Sequence, residues 1–144
     1  MRYLVTSFVL TNILHGWLLL AHWGENPASV SYHAVKNKLT FYLYVLGHLI
    51  AGALLWLFVL DVFSGKPHAG VIIVVTAAAA LTEWAQALLP AKGKTDRLHT
   101  IFAAIMSFSL ALLVFLATIF FAPNTVVLVV NMAASAVVFS FFRY

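Results

Sequence analysis

Long apolar stretches alternate with short polar breaks along this chain, and several of the breaks contain proline or glycine. Each stretch approaches the roughly 20 residues that a helical membrane crossing needs. Helices are expected because an open strand would leave backbone hydrogen-bonding groups unsatisfied in lipid. The pattern predicts an all-α, polytopic membrane bundle of five transmembrane helices, of which the fifth is the weakest: Tyr3–His22, Leu39–Val62, Gly70–Leu89, Leu98–Ala122 and Thr125–Phe142.

The composition also indicates that lipid is the solvent. Of the 144 residues, 64% are hydrophobic and 8% are charged, whereas a soluble domain is about half apolar and about a quarter charged. A water-soluble fold of this length could not bury so much apolar surface. We therefore expect one helical bundle over residues 1–144 in the cell membrane, with membrane lipid around it.

The basic residues predict how the bundle is oriented. They lie at the ends of the predicted helices and form no basic face, which argues against nucleic acid as a partner. Cytoplasmic loops of membrane proteins are enriched in Lys and Arg, so we expect the N-terminus outside and the C-terminus in the cytoplasm. The predicted cytoplasmic cations are Lys36, Lys38, Lys92, Lys94, Arg97 and Arg143, and the outer ones are Arg2 and Lys66.

Glu83 is the first candidate functional residue, because it lies inside the apolar run Val71–Leu89. A charge at membrane depth costs about 2.5–3.5 kcal/mol, and such residues usually face the bundle interior and have partners. His15 and His48 lie near the middle of the first two predicted crossings. At 1.5 Å per residue, the three side chains fall within about 5 Å of one depth. We expect Glu83 to contact His15, His48 or a bound ligand.

Other polar residues extend this candidate site. Gln86 follows Glu83 by one helical turn and is expected on the same face. In the fourth stretch, small or polar residues recur at every fourth position from His99 through Ser107, and small residues at that spacing let helices approach closely. Trp84 is interpreted as an interfacial anchor or lipid-facing side chain. The predicted ligand or proton site comprises Glu83, His15, His48, Gln86, His99, Asn12 and Ser107.

Two roles remain open for these residues. They could fix the helix packing of a structural or accessory subunit that joins a larger membrane complex or self-associates. Alternatively, they could bind a proton, an ion, a small hydrophobic ligand, or a haem ligated by His15 and His48, since histidine titrates near neutral pH and ligates metals. No nucleophile lies beside a base, so the sequence argues against an enzyme and identifies no catalytic residue.

A short motif around His99 resembles a known family. It consists of an apolar pair and a proline, a polar loop, and Leu-His followed by a small residue, namely Leu88, Leu89, Pro90, Leu98, His99 and Ala103. This pattern, within Ala80–Phe115, resembles the multi-pass prokaryotic membrane family called domain of unknown function 998. Members usually have more crossings and often an acid directly after the proline. The resemblance implies a small integral membrane protein of unassigned role, in which His99 is a candidate functional residue.

Overall fold

The computed structural model describes residues 2–21, 30–89 and 91–121, together with four separate positions at 126, 129, 130 and 133. Within the three continuous ranges the fold is all-α, and a 3-10 turn at Gly93–Thr95 precedes the last helix. The four long helices agree with the first four predicted stretches to within one or two residues at each end. The helices are α1 Arg2–Ala21, α2 Val30–Ala34, α3 Lys38–Phe63, α4 Ala69–Leu88 and α5 Asp96–Phe121.

Three of these helices are long and apolar enough to cross a membrane: α3, α4, and α5 together with its preceding turn. The helix α1 contributes a shorter apolar stretch, Val5–Leu18. The predicted fifth crossing, Thr125–Phe142, lies outside the described residues except for the four separate positions. Large apolar side chains are exposed on every long helix, including Leu20, which is 69% exposed, and Val74, which is 68% exposed. Such surfaces need an apolar solvent or a partner to cover them.

The long helices form an antiparallel row in the order α1, α3, α4, α5. A short turn at 64–68 joins α3 to α4, and only a short stretch of sequence separates the end of α4 from the start of α5, which makes those pairs neighbours. The side chain of Asn37 starts α3 by accepting a hydrogen bond from the Thr40 amide at 2.8 Å. His68, with a φ of 63°, reverses the chain before α4.

The helix α2 is an element that hydropathy did not predict. It has five residues, too few to show a period, and it lies in a polar break between two predicted crossings. It forms because its residues pack against α1 and α3, and Ala34 and Val30 belong to an apolar cluster with residues of the neighbouring helices. This packing places α2 beside α1, the helix that contains His15.

Two apolar clusters lie at opposite ends of the long helices, as measured along the helix axes. One surrounds the turn between α3 and α4 and comprises Val59, Phe63, Ala69, Ile72 and Leu113. The other joins α1, α2, α3 and α4 at the opposite end and comprises Leu18, Ala34, Tyr44 and Ala87. Along their helices, His48 on α3 and Glu83 on α4 lie between these clusters.

Candidate functional site

Three helices each contribute one polar side chain to a continuous hydrogen-bonded chain. His48 on α3 is the middle member: its Nδ1 lies 3.1 Å from Oε1 of Glu83 on α4. Its Nε2 lies 3.1 Å from Nε2 of His15 on α1. The contact expected for Glu83 is therefore present, and it is made with His48. We call His15, His48 and Glu83 the polar chain.

Donor and acceptor matching restricts the polar chain to a few proton arrangements. A neutral imidazole carries one N–H donor and one acceptor nitrogen. If Glu83 is a carboxylate, His48 Nδ1–H donates to it, so His48 Nε2 must accept from His15 Nε2–H. If Glu83 carries a proton, it donates to His48 Nδ1, and His48 Nε2–H donates to His15. Each arrangement fully uses both hydrogen bonds.

The surroundings of the polar chain are mostly apolar and aromatic. The side chains of His48 and Glu83 are 6% and 13% exposed, and His15 is half-buried. The buried ring of Tyr44 lies 4.3 Å from the His48 ring and 6.4 Å from the His15 ring, between centroids. Water therefore has little access to His48, and its two hydrogen bonds replace hydration.

Gly52 allows α4 to approach α3 at the Glu83 end of the polar chain. A Cβ atom at Gly52 would overlap Nε1 of Trp84 and would lie 3.2 Å from Oε2 of Glu83. The indole nitrogen of Trp84 is buried there without a hydrogen-bond partner among the described residues. The interpretation of Trp84 as an interfacial or lipid-facing side chain is therefore incomplete, because its polar edge packs against α3.

A similar close approach holds α1 on α3 at the His15 end. A Cβ atom at Gly47 would overlap the end of the Leu14 side chain. Further along the same interface, the hydroxyl of Ser7 donates to the carbonyl of Ala51 at 3.0 Å. These contacts set the depth at which His15 and His48 meet.

Gln86 is not part of the polar chain, although it was expected on the face of Glu83. Its side chain is buried and its Nε2 lies 3.4 Å from the sulfur of Met106 on α5. Three residues along a helix leave two side chains about 60° apart. Since α4 lies between α3 and α5, that angle directs Glu83 to α3 and Gln86 to α5.

His99 is buried at the start of α5 and contacts the end of α4. Its Nδ1 lies 2.9 Å from the carbonyl oxygens of both Gln86 and Leu89. Carbonyls are acceptors, so Nδ1 carries the proton and donates to both. The last carbonyls of a helix have no partner within the helix, and His99 supplies one for the end of α4. The contacts of His99 thus support the turn between α4 and α5.

Asn12 and Ser107 are not members of the polar chain. Asn12 is exposed on α1, whereas His15 turns towards α3. Ser107 is half-buried on α5, and within the described residues no hydrogen bond joins it to His15, His48 or Glu83. The helix α4 separates α5 from the polar chain. Of the predicted site residues, the fold joins His15, His48 and Glu83 in the polar chain and joins His99 to the Gln86 carbonyl in a separate contact.

A haem held by both histidines does not fit this arrangement. Two imidazoles on opposite faces of one haem iron must have their ligating nitrogens about 4 Å apart, because each metal–nitrogen bond is about 2 Å long. The Nε2 atoms of His15 and His48 are 3.1 Å apart, and the contact of Gly47 with Leu14 leaves no slot between α1 and α3. Among the described residues, no group of three or more His, Cys, Asp or Glu side chains is arranged around a metal position.

The fold also contains a cavity that lies away from these residues. It measures about 610 Å³ and lies between the second halves of α3 and α5, lined almost entirely by apolar side chains that include Phe58, Leu113 and Phe121. Its lining contains none of the polar chain. The polar chain itself is a packed, hydrogen-bonded contact between helices.

No family model, no curated protein and no solved structure matches this chain. The resemblance of Ala80–Phe115 to the family called domain of unknown function 998 stays a prediction.

Tyr44 and Gly52 are site residues that the sequence pattern could have identified. They lie four residues before and four residues after His48, and residues four apart share one face of a helix. Once His48 is assigned to the bundle interior, the same face must contain both. The close contact between Trp84 and Gly52, in contrast, could not be inferred, because it depends on how α3 and α4 pack.

Proposed function

We propose that this chain is a multi-pass membrane protein whose polar chain binds a proton within the membrane. The observation that carries the proposal is the unbroken pair of hydrogen bonds from Glu83 through His48 to His15, each 3.1 Å long. Three titratable side chains in series can add one proton and redistribute it without moving a heavy atom.

The proton balance is as follows. The starting state has a Glu83 carboxylate, a proton on His48 Nδ1 and a proton on His15 Nε2. A new proton binds His15 Nδ1, the His15 Nε2 proton moves to His48 Nε2, and the His48 Nδ1 proton moves to Glu83. The final state holds one more proton, and all three side chains are neutral. Both hydrogen bonds are kept, with their donors and acceptors exchanged.

The surroundings support proton binding at this position. His15 is half-buried, whereas His48 is enclosed, so His15 is the proposed point of proton entry. Neutralising a carboxylate among apolar helices removes a charge that is costly at membrane depth. The three side chains lie at similar depth on neighbouring helices, so the proton path runs across the row. Proton binding, and not transport through the bilayer, is the proposed function.

Selective isotope labelling tests the proposal. The chain contains two glutamates, Glu25 and Glu83, so in the Glu25→Gln variant a 13C-labelled glutamate carboxyl reports on Glu83 alone. The 15N signals of His15 and His48 are assigned by their loss in His15→Gln and His48→Gln. We expect Glu83 to gain a proton as the pH falls and both rings to exchange tautomers at the same midpoint. Rings that keep their tautomers while Glu83 titrates, or a carboxyl that does not titrate, would contradict proton binding by the chain.

The proposed membrane topology adds two crossings to the three long apolar helices. The helix α1 is placed as one crossing and Thr125–Phe142 as another, with the N-terminus outside and the C-terminus in the cytoplasm. Support comes from the distribution of cations and from the position of His15, which needs α1 to lie beside α3 within the bilayer. This topology keeps the polar chain near the middle of the membrane.

A role as an accessory subunit is a second candidate, favoured by the exposure of α5. In the most apolar part of α5, 17% of the residues are buried, against 33% in α3 and in α4. An accessory role predicts that a cysteine at Ile105, which is exposed on α5, forms a cross-link to a specific second polypeptide in native membranes. A cysteine that reacts only with lipid-soluble reagents would argue that α5 faces lipid.

A further inference from the structure

We propose that a basic pocket at one end of the long helices, beside the start of α3, binds the phosphate group of an anionic phospholipid. The pocket lies where the turn before α3 meets the turn before α5, and it measures about 360 Å³. It is separate from the polar chain, so neither proposal depends on the other. The residues lining the pocket are Val35, Lys36, Asn37, Lys38, Phe41 and Lys92.

The charge of the pocket identifies an anion as the ligand. Three of its six lining residues are lysines, and none of the six has a carboxyl group. Lys36 and Lys38 come from one turn, and Lys92 comes from another that is more than 50 residues away in the sequence. An anion between the lysines would be attracted by all three ammonium groups.

The start of α3 adds to the same field. The helix begins at Lys38, and the N-terminal end of a helix carries a partial positive charge. The Asn37 side chain already accepts from the Thr40 amide, so the anion would be held mainly by the lysines. The ammonium of Lys36 also lies 5.7 Å from the centre of the Tyr32 ring, which keeps it beside the pocket.

The apolar surface next to the pocket favours a phospholipid over free phosphate. Phe41 and Val35 form part of the pocket wall. From there, large exposed side chains continue along the outside of α3: Leu39 and Tyr42 are each 66% exposed, and Leu46 is 54% exposed. An acyl chain lying along these residues would place its phosphate group at the lysines. Basic pockets at the ends of transmembrane helices recognise anionic lipid headgroups by the same pairing.

Titration of the purified full-length protein in detergent tests this site. Native mass spectrometry measures the binding of phosphatidylglycerol, of phosphatidylcholine and of inorganic phosphate. We expect Lys36→Gln, Lys38→Gln and Lys92→Gln each to weaken phosphatidylglycerol binding about fivefold, the ratio that corresponds to about 1 kcal/mol per charge. Phosphatidylcholine binding should be weaker than that of phosphatidylglycerol and should not change in the variants.

Lys94→Gln is the matched control, because Lys94 lies in the same turn as Lys92 and is exposed, but does not line the pocket. Its binding of phosphatidylglycerol should equal that of the wild type. Equal losses in Lys94→Gln and Lys92→Gln, or no loss in any of the three pocket variants, would overturn the proposal. Displacement of phosphatidylglycerol by an equal concentration of inorganic phosphate would identify a free-anion site and would overturn the assignment to lipid.

Discussion

At the scale of the residue, His48 holds the polar chain together because it is hydrogen-bonded on both sides. One ring nitrogen faces the Glu83 carboxyl and the other faces His15. With the side chain 6% exposed, neither nitrogen has ready access to water as a substitute partner. A buried polar atom that loses its partner costs about 1–3 kcal/mol, so the polar chain contributes to stability whichever proton arrangement it adopts.

Substitution of Glu83 separates the structural contribution from the ability to titrate. Glu83→Leu leaves His48 Nδ1 without a partner and should lower the free energy of unfolding by about 1–3 kcal/mol. Glu83→Gln should lose less, because its carboxamide oxygen still accepts from His48. Thermal unfolding of the purified variants measures both losses. Asp61→Leu, which changes an exposed acid on α3, is the control and should stay within about 0.5 kcal/mol of the wild type. Wild-type stability in Glu83→Leu would show that His48 does not depend on this contact.

The glycines at the helix contacts provide a second comparison. Gly52→Ala places a methyl group against Trp84 and beside Glu83, and such overpacking costs about 1–3 kcal/mol. Gly16→Ala, on α1, meets nothing within 4 Å and should be neutral or stabilising by up to about 1 kcal/mol, since alanine favours the helix. Unfolding measurements on both variants test this difference. Equal stabilities would mean that α3 and α4 are not in close contact at Gly52.

At the scale of the element, α4 links α3 to α5, because it contacts one of these helices on each side. Its Glu83 faces α3 and its Gln86 faces α5. The end of α4 depends on a residue of the next helix, since His99 donates to the carbonyls of Gln86 and Leu89. The turn between α4 and α5 is thereby tied to the same helix that holds the carboxyl of the polar chain.

Loss of the His99 hydrogen bonds should loosen the end of α4. His99→Ala leaves the Leu89 carbonyl without its His99 donor and leaves the Gln86 carbonyl with the Leu89 amide alone, and we expect a loss of about 1–3 kcal/mol. Amide exchange at Leu89, whose N–H bonds to Ala85 and Gln86, should become faster. His68→Asn is a matched control, because His68 is an exposed histidine with a left-handed backbone that asparagine also adopts. Unchanged exchange at Leu89 in His99→Ala would argue against this capping role.

At the scale of the whole molecule, most of the described lysines lie at the same end of the long helices. Lys36, Lys38 and Lys92 line a common pocket, whereas Lys66 lies in the turn at the other end of α3 and α4. By the positive-inside rule, we expect the pocket end to face the cytoplasm. The polar chain would then be reached from His15 on α1, below the surface of the membrane.

Single cysteines can report this orientation, because the chain contains none of its own. A cysteine at exposed Ser64 should react with an impermeant thiol reagent in intact cells, and one at exposed Lys94 should react only after the membrane is opened. Lys94→Cys leaves five of the six predicted cytoplasmic cations in place. Rapid labelling at Lys94 and protection at Ser64 would reverse the topology.

The extents of the long helices were predictable from hydropathy, but several side-chain partners were not. Apolar stretches and the breaks between them located α1, α3, α4 and α5, because helix formation in an apolar solvent depends on local composition. The depth argument also identified His15, His48 and Glu83 as neighbours. The depth argument did not predict that Glu83 contacts α3 while Gln86 contacts α5, because depth carries no information about rotation around the helix axis.

The sequence by itself determined that this protein is all-helical, that its surface is apolar enough for a lipid environment, and that polar side chains inside the bundle require hydrogen-bond partners. Those properties follow from composition and from the cost of unsatisfied polar groups in an apolar solvent. Only the tertiary structure decided which groups meet: helix rotation and the close contacts at Gly47 and Gly52 placed His48 between His15 and Glu83. The same packing assigned Gln86 and His99 to the contact between α4 and α5, because Gln86 is rotated by about 60° from Glu83 around the α4 axis.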